Sequence, residues 1–262
     1  MSTAAIAEVD YPDSDGEPLA ETPWHLAAIT YLLQALKGRY ADRDDVYVAA
    51  DSFLYYVEGD NKSSKAPDVM VAFGVRGNAD RGSFKTWVEG VAPTVIVEVT
   101  SPSTYSKDLG DKLLTYADLG VAEYYLYDPL SQTRATPFLA KRLADGRYRD
   151  VATGVDGGVD SPALGLRLVP EGILLRLVDI ETGEPLPTAD EYRLIAATQR
   201  ARAKAHRRRA ETERQRAETE RLRAEVESLR ADLESQRAET QRQRADDLAA
   251  EVARLKVRLG EA

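Results

Sequence analysis

Thr94-Val95-Ile96-Val97-Glu98-Val99-Thr100 is a run of apolar and β-branched residues with one acid inside it. Such a run predicts a buried strand. Glu98 is its anomaly, because an unpaired carboxylate in that setting must give up its water at a cost of several kcal/mol or more. A chain keeps such an acid where a cation, a metal or a reaction needs it.

Other elements are spaced around this strand. Upstream, Trp24, Leu26, Ile29, Leu32, Leu33 and Leu36 recur at helical spacing, and Gly38 is expected to stop the helix. Val46–Val57 and Val69–Phe73 read as strands, and Arg76–Lys85 as a polar loop. Downstream, residues 108–119 read as one helix ending at Gly120, and Ala122–Tyr127 as a second apolar strand. Thr136–Leu143 and Arg147–Val151 form an expected hairpin around Asp145-Gly146. Leu164–Leu168 and Ile173–Asp179 are shorter strands. The order predicts a mixed α/β or α+β domain, with helices flanking one central sheet. Residues 1–20 read as an N-terminal arm, 21–192 as the domain and 193–262 as a long helix.

The tail carries its own signature. From Arg209 the sequence repeats every seven residues, as RAETERQ, RAETERL, RAEVESL, RADLESQ and RAETQRQ. Thr212, Thr219, Val226, Leu233 and Thr240 fall on the a position of a coiled coil, with Gln215, Leu222, Leu229, Gln236 and Gln243 on d. Acids at g and arginines at e suit a parallel pair of helices, so a homodimer is the expected assembly. Asp247 interrupts the register, and Leu248, Val252, Leu255 and Leu259 resume it after a stutter. The alternative is a single solvated helix held by its own charge pairs.

Charge and composition narrow the function. The 262-residue chain has no cysteine, which excludes disulfides and thiolate metal sites, and its net charge is −9. Residues 193–262 carry 18 basic and 13 acidic residues, a balance of +5, which leaves −14 on residues 1–192. Bulk charge on the domain therefore argues against gripping nucleic acid that way. Neither a signal-peptide pattern nor an apolar run of the ~18 residues a membrane span needs is present, so the expected place is the cytoplasm.

Three residues, in order, could carry chemistry. Pro67-Asp68 opens a strand, Glu98 follows 30 positions later, and Lys112 lies on the next helix, four residues after Asp108. Two carboxylates on adjacent strands can converge on a hard divalent cation such as Mg²⁺ or Mn²⁺, with the Val99 carbonyl as a third ligand. A lysine nearby can orient water or stabilise a phosphate. Each residue also has a plainer reading. Asp68 also fits ordinary turn chemistry, Glu98 a buried ion pair, and Lys112 a helical partnership with Asp108.

The wording around these residues resembles the Uma-two family of bacterial restriction endonucleases, within the PD-(D/E)xK nuclease superfamily. It includes Tyr11-Pro12-Asp13-Ser14-Asp15-Gly16, Ala66-Pro67-Asp68-Val69, Val97-Glu98-Val99-Thr100-Ser101-Pro102-Ser103-Thr104, Asp108-Leu109-Gly110-Asp111-Lys112-Leu113 and Gly120-Val121-Ala122-Glu123-Tyr124-Tyr125-Leu126-Tyr127-Asp128-Pro129. The resemblance spans residues 11–192 and leaves out the coiled coil. It implies a restriction-endonuclease-like fold, Asp68 and Glu98 as metal ligands, and a metal-dependent endonuclease acting on DNA. The superfamily's usual lysine lies two residues after the acid, where this chain has Thr100; the resemblance transfers that role to Lys112. Asp51, Glu21, His25 and Asp108 are further candidates. Two rival functions stay open: an inactive nuclease fold that binds or scaffolds through its coiled coil, and a phosphodiesterase acting on RNA or nucleotides.

Overall fold

The computed structural model describes residues 9–13, 22–77, 79–102, 104–133 and 136–259. Its contacts divide the chain into two units, Met1–Arg193 and Leu194–Ala262. The first unit is built on a six-stranded sheet in the order β1-β4-β6-β7-β8-β9. These strands are β1 (Val46–Ala50), β4 (Val69–Phe73), β6 (Val95–Val99), β7 (Glu123–Tyr127), β8 (Phe138–Ala144) and β9 (Arg147–Val151). Only β6 and β7 pair in parallel, and the other neighbours are antiparallel, so the sheet is mixed.

Two small sheets accompany it. One joins β3 (Ser64–Lys65), β2 (Leu54–Tyr55) and β5 (Phe84–Lys85); the other joins β10 (Val159–Ser161), β11 (Leu166–Glu171) and β12 (Leu174–Asp179). The helices are α1 (Pro23–Arg39), α2 (Thr86–Glu89), α3 (Tyr105–Leu109), α4 (Asp111–Asp118) and α5 (Ala189–Leu259). The mixed α+β, restriction-endonuclease-like class expected from the sequence is the class observed.

The central strands are buried on both faces, and alternation sorts their side chains into two cores. Val95, Val97 and Val99 join Tyr125, Tyr127, α1 and the β10–β12 sheet on one face. Ile96, Met70, Tyr124 and Leu126 pack with Tyr116 and Val121 on the other. Glu98 shares the parity of Ile96, so it points into the second core, beneath α4. Its strand is buried at every position.

Several expected boundaries move, each for a local reason. The first helix runs through Gly38 to Arg39, since packing of Leu32, Ala35 and Leu36 outweighs one glycine's helix penalty of about 1 kcal/mol. The run from Val46 to Val57 breaks at Asp51, whose φ of 46° places it in the left-handed region, and its two halves enter different sheets. The loop after Arg76 ends in a strand, because Phe84 pairs in parallel with Leu54. Residues 108–119 are not one helix: Gly110, with φ and ψ both −104°, separates α3 from α4. Within the expected arm only residues 9–13 are described, and there the Tyr55 hydroxyl donates to the Pro12 carbonyl at 2.7 Å.

The second unit is helical. Its parent helix α5 starts at a reciprocal cap, in which the Thr188 N–H donates to Glu191 Oε2 at 2.6 Å and the Glu191 N–H to Thr188 Oγ1 at 3.3 Å. Arg176, buried on β12 beside the Tyr31 ring, holds the same Glu191 through both terminal nitrogens. No helix among the described residues is long and apolar enough to cross a membrane.

Candidate functional site

The site lies where the ends of β4 and β6 meet α4. The antiparallel register sets Val69 against Val97, so one further step carries Asp68 to Glu98. The Asp68 N–H donates to Glu98 Oε2 at 3.3 Å, and the Val99 N–H donates to Asp68 Oδ2 at 2.6 Å. Two acids 30 positions apart are thereby fastened to each other's strands through backbone donors.

Glu98 is fully buried and still well partnered. Its Oε2 accepts from Lys112 Nζ at 2.9 Å, and its Oε1 from the Tyr116 hydroxyl at 2.9 Å. Lys112 and Tyr116 stand one turn apart on α4, so one helical face supplies both donors. Lys112 Nζ also lies 3.2 Å from Asp108 Oδ1. Asp108 is itself buried, and its other oxygen accepts from Thr100 Oγ1 at 2.8 Å. The Tyr124 hydroxyl donates to the Asp108 carbonyl at 2.9 Å and fixes the backbone from below.

Gly110 makes this convergence possible. A Cβ there would sit 2.8 Å from the Ser106 carbonyl oxygen. Without one, the chain turns sharply after α3, and Asp108 and Lys112 come to one point from two helices.

His25 completes the edge of the site from α1. Its Nε2 is 2.6 Å from the Val99 carbonyl oxygen and 3.4 Å from Asp68 Oδ2. A carbonyl only accepts, so Nε2 carries the proton in this contact. The Lys112 side chain retains 20% exposure and the Asp68 side chain 14%, against 1% for Glu98. Solvent therefore meets Lys112 and Asp68 first.

Charge crowding shifts the titrations. Burial, and then the neighbouring Asp68 carboxylate, push the Glu98 carboxyl up to about 8, against the pull of the Lys112 ammonium. Burial lowers Lys112, but Glu98, Asp108 and Asp68 together outweigh it and hold its ammonium above the ordinary range. The Tyr116 hydroxyl is raised well above its usual value by burial and by the Glu98 charge, so it acts as a donor.

Among the candidates from the sequence, Asp68, Glu98, Val99, Lys112, Asp108 and His25 are brought together. Asp51 adjoins the site through its backbone, its N–H facing the Pro67 and Asp68 carbonyls at 3.2 and 3.3 Å. Glu21 and Ser103 lie outside the described residues. The sequence reading missed Tyr116 and the Thr100–Asp108 link. Tyr116 was legible as the residue one turn after Lys112, whereas the Thr100 link depends on the break at Gly110.

The oxygens of Asp68, Glu98 and Val99 are a hard donor set of the kind Mg²⁺ and Mn²⁺ take. No cluster of three or more His, Asp or Glu side chains that could cage a metal occurs among the described residues. Two carboxylates do meet here, and Mg²⁺ is ordinarily held by one or two, keeping waters or phosphate oxygens besides. The stacked carboxylates, with one shared ammonium, leave an excess of negative charge that a cation would offset.

A crystal structure from Anabaena variabilis, described as "a putative nuclease belonging to DUF820", is 17% identical to the chain, covering 58% of this chain and 81% of that one at a TM-score of 0.44. That score is too low to carry weight for function. No curated protein matches the chain. Residues 5–170 match the profile of the family described as "Uma2: Putative restriction endonuclease". That match spans more than half of the sequence, and the chain belongs to the Uma2 family.

Proposed function

We propose that the chain is a divalent-metal-dependent endonuclease that hydrolyses DNA phosphodiester bonds. The observation that carries this reading is Lys112, reaching across from α4 to within 2.9 Å of Glu98 beside Asp68. It supplies from a helix the ammonium that Thr100 cannot supply from the strand. Family membership supports a nuclease.

On this reading Asp68, Glu98 and the Val99 carbonyl hold Mg²⁺ or Mn²⁺. The bound ion would supply Lewis acidity and a more acidic water. In the reaction a water oxygen bonds to phosphorus, one P–O ester bond breaks, and a proton passes to the leaving oxygen through solvent. Lys112 stays an ammonium under the charge of its three neighbours, so it donates to a phosphate oxygen and does not take the water's proton. Tyr116 and Asp108 are positioning residues, the first steadying Glu98 and the second Lys112. His25 steadies the Val99 carbonyl on one lone pair and leaves the other for a ligand. On this reading the chain acts in the cytoplasm.

The tail completes the proposal as a homodimer through a parallel coiled coil, which would present two sites to two strands. Leu222, Val226, Leu229 and Leu233 are 49–63% exposed on α5, an aliphatic seam left open among the described residues.

Plasmid cleavage with and without Mg²⁺ or Mn²⁺ tests the reading, comparing wild type with Glu98→Ala and Lys112→Ala. Metal-dependent nicking, lost in both variants, is expected. Equal residual activity in all three would overturn it. The excess of acid on residues 1–192 favours a second reading, an inactive nuclease fold used as a scaffold, and no cleavage by wild type with either metal would select it.

A further inference from the structure

The heptads do more than pair helices, because their charge pattern reverses at one point. In a parallel pair each g residue faces the e residue five positions on in the other helix. Glu211, Glu218, Glu225, Asp232 and Glu239 would face Arg216, Arg223, Arg230, Arg237 and Arg244 of the partner subunit, every one an acid against a base. One heptad earlier, g is Lys204 and the facing e is Arg209, so the contact becomes base against base. The d position of that heptad is Arg208, a cation in the seam, and Ala201 and Ala205 bury almost nothing. The helix itself is continuous through this stretch, and its side chains are exposed.

Residues 200–209 hold six basic residues and no acid. Attraction thus ends where the basic run begins. Two parallel helices would be held together beyond Glu211 and pushed apart before it. We propose that residues 200–209 of the paired helices form two diverging basic arms that bind the phosphate backbone of duplex DNA. This rests on the parallel pairing proposed above, and it gives the acidic domain a source of positive charge.

Duplex DNA is the ligand the chemistry selects. The arm is a bare helix, with alanines between its cations, and the major groove of B-DNA admits a helix of that width. Its partner chemistry is repeated anionic charge, and neutralising the arms would relieve their mutual repulsion. An anionic membrane fits less well, because residues 200–210 contain no large apolar side chain to enter the interface.

The test is anisotropy of a labelled duplex of about 30 base pairs with the full chain in EDTA, so that cleavage is silent. Salt is varied, since each released counterion contributes a slope of about −0.9 in log K against log salt. Wild type and Arg147→Gln, an exposed change on β9 away from the site, are expected to bind alike. A variant with Arg200, Arg202, Lys204, Arg207, Arg208 and Arg209 all replaced by Gln is expected to bind at least tenfold more weakly and with a flatter slope, roughly as fewer phosphates are met. Equal binding by that variant, or no binding by wild type, overturns the proposal. So does capture on phosphatidylserine vesicles in place of the duplex. Sedimentation of the same samples reports pairing separately, and plasmid cleavage reports the nuclease site separately.

Discussion

Thr100 Oγ1 donates to Asp108 Oδ2 at 2.8 Å, and Asp108 Oδ1 lies 3.2 Å from Lys112 Nζ, so Thr100 secures the acid that in turn holds Lys112. A chain of contacts runs from Thr100 through Asp108 and Lys112 to Glu98 and Tyr116. Thr100→Val keeps the shape and removes the donor. Asp108 then keeps a buried oxygen without that bond, which costs about 1–3 kcal/mol. Urea melts should show that loss, and Lys112-dependent cleavage should fall with it. A melt unchanged within error would mean that Asp108 is held without Thr100.

A Cβ added at Gly110 would lie 2.8 Å from the Ser106 carbonyl oxygen, closer than contact distance. Gly110→Ala should therefore force α3 and α4 apart, at about 1–3 kcal/mol for an overpacked contact. The same shift withdraws Lys112 from Glu98. Thermal melts together with metal-dependent cleavage should show both losses, and full activity at wild-type stability would show that the turn accommodates a methyl group.

Much of this fold was legible because its signals are local. Within the run from Thr94 to Thr100, Val95–Val99 form a strand buried throughout, and Asp145-Gly146 turned the hairpin as read. What was not legible depends on tertiary packing. Gly38 does not stop a helix whose buried face is satisfied around it, and nothing near Phe84 announces a parallel partner 30 residues earlier. In the site, Asp68 and Glu98 were readable as a pair, because acids in or beside apolar strands are rare. His25 was harder, since one histidine near a helix start carries little signal until Val99 is found beside it.

Glu98 gives a signed pH dependence. Burial and Asp68 raise its carboxyl from the ordinary 4.5 to about 8 in the folded chain. Between those values the folded state holds a proton that the unfolded state has released. Stability contributed by this group is therefore present below about pH 4.5 and declines as pH rises to about 8. Urea midpoints of wild type in EDTA should fall across that window relative to Glu98→Gln, whose amide does not titrate. Parallel pH profiles for the two proteins would refute a raised carboxyl.

The pairing of the tails can be tested without touching the domain. Glu211, Glu218 and Glu225 each face an arginine of the other helix in a parallel pair, so replacing all three by Lys turns six contacts repulsive across the dimer. Single exposed pairs are worth only about 0.2–1 kcal/mol, but six reversals act on a seam whose aliphatic part is short. Sedimentation at micromolar concentration should give a dimer for wild type and a monomer for the triple variant. A second variant, with Arg216, Arg223 and Arg230 replaced by Glu, should also be monomeric alone. Mixed, the two should pair if the helices are parallel, because introduced Lys meets introduced Glu on one side and native Glu meets native Arg on the other. An antiparallel pair would set g against g and e against e, and the triple Lys variant would then pair with wild type better than wild type pairs with itself. Wild type that sediments as a monomer would remove the dimer, and with it the basis for two arms.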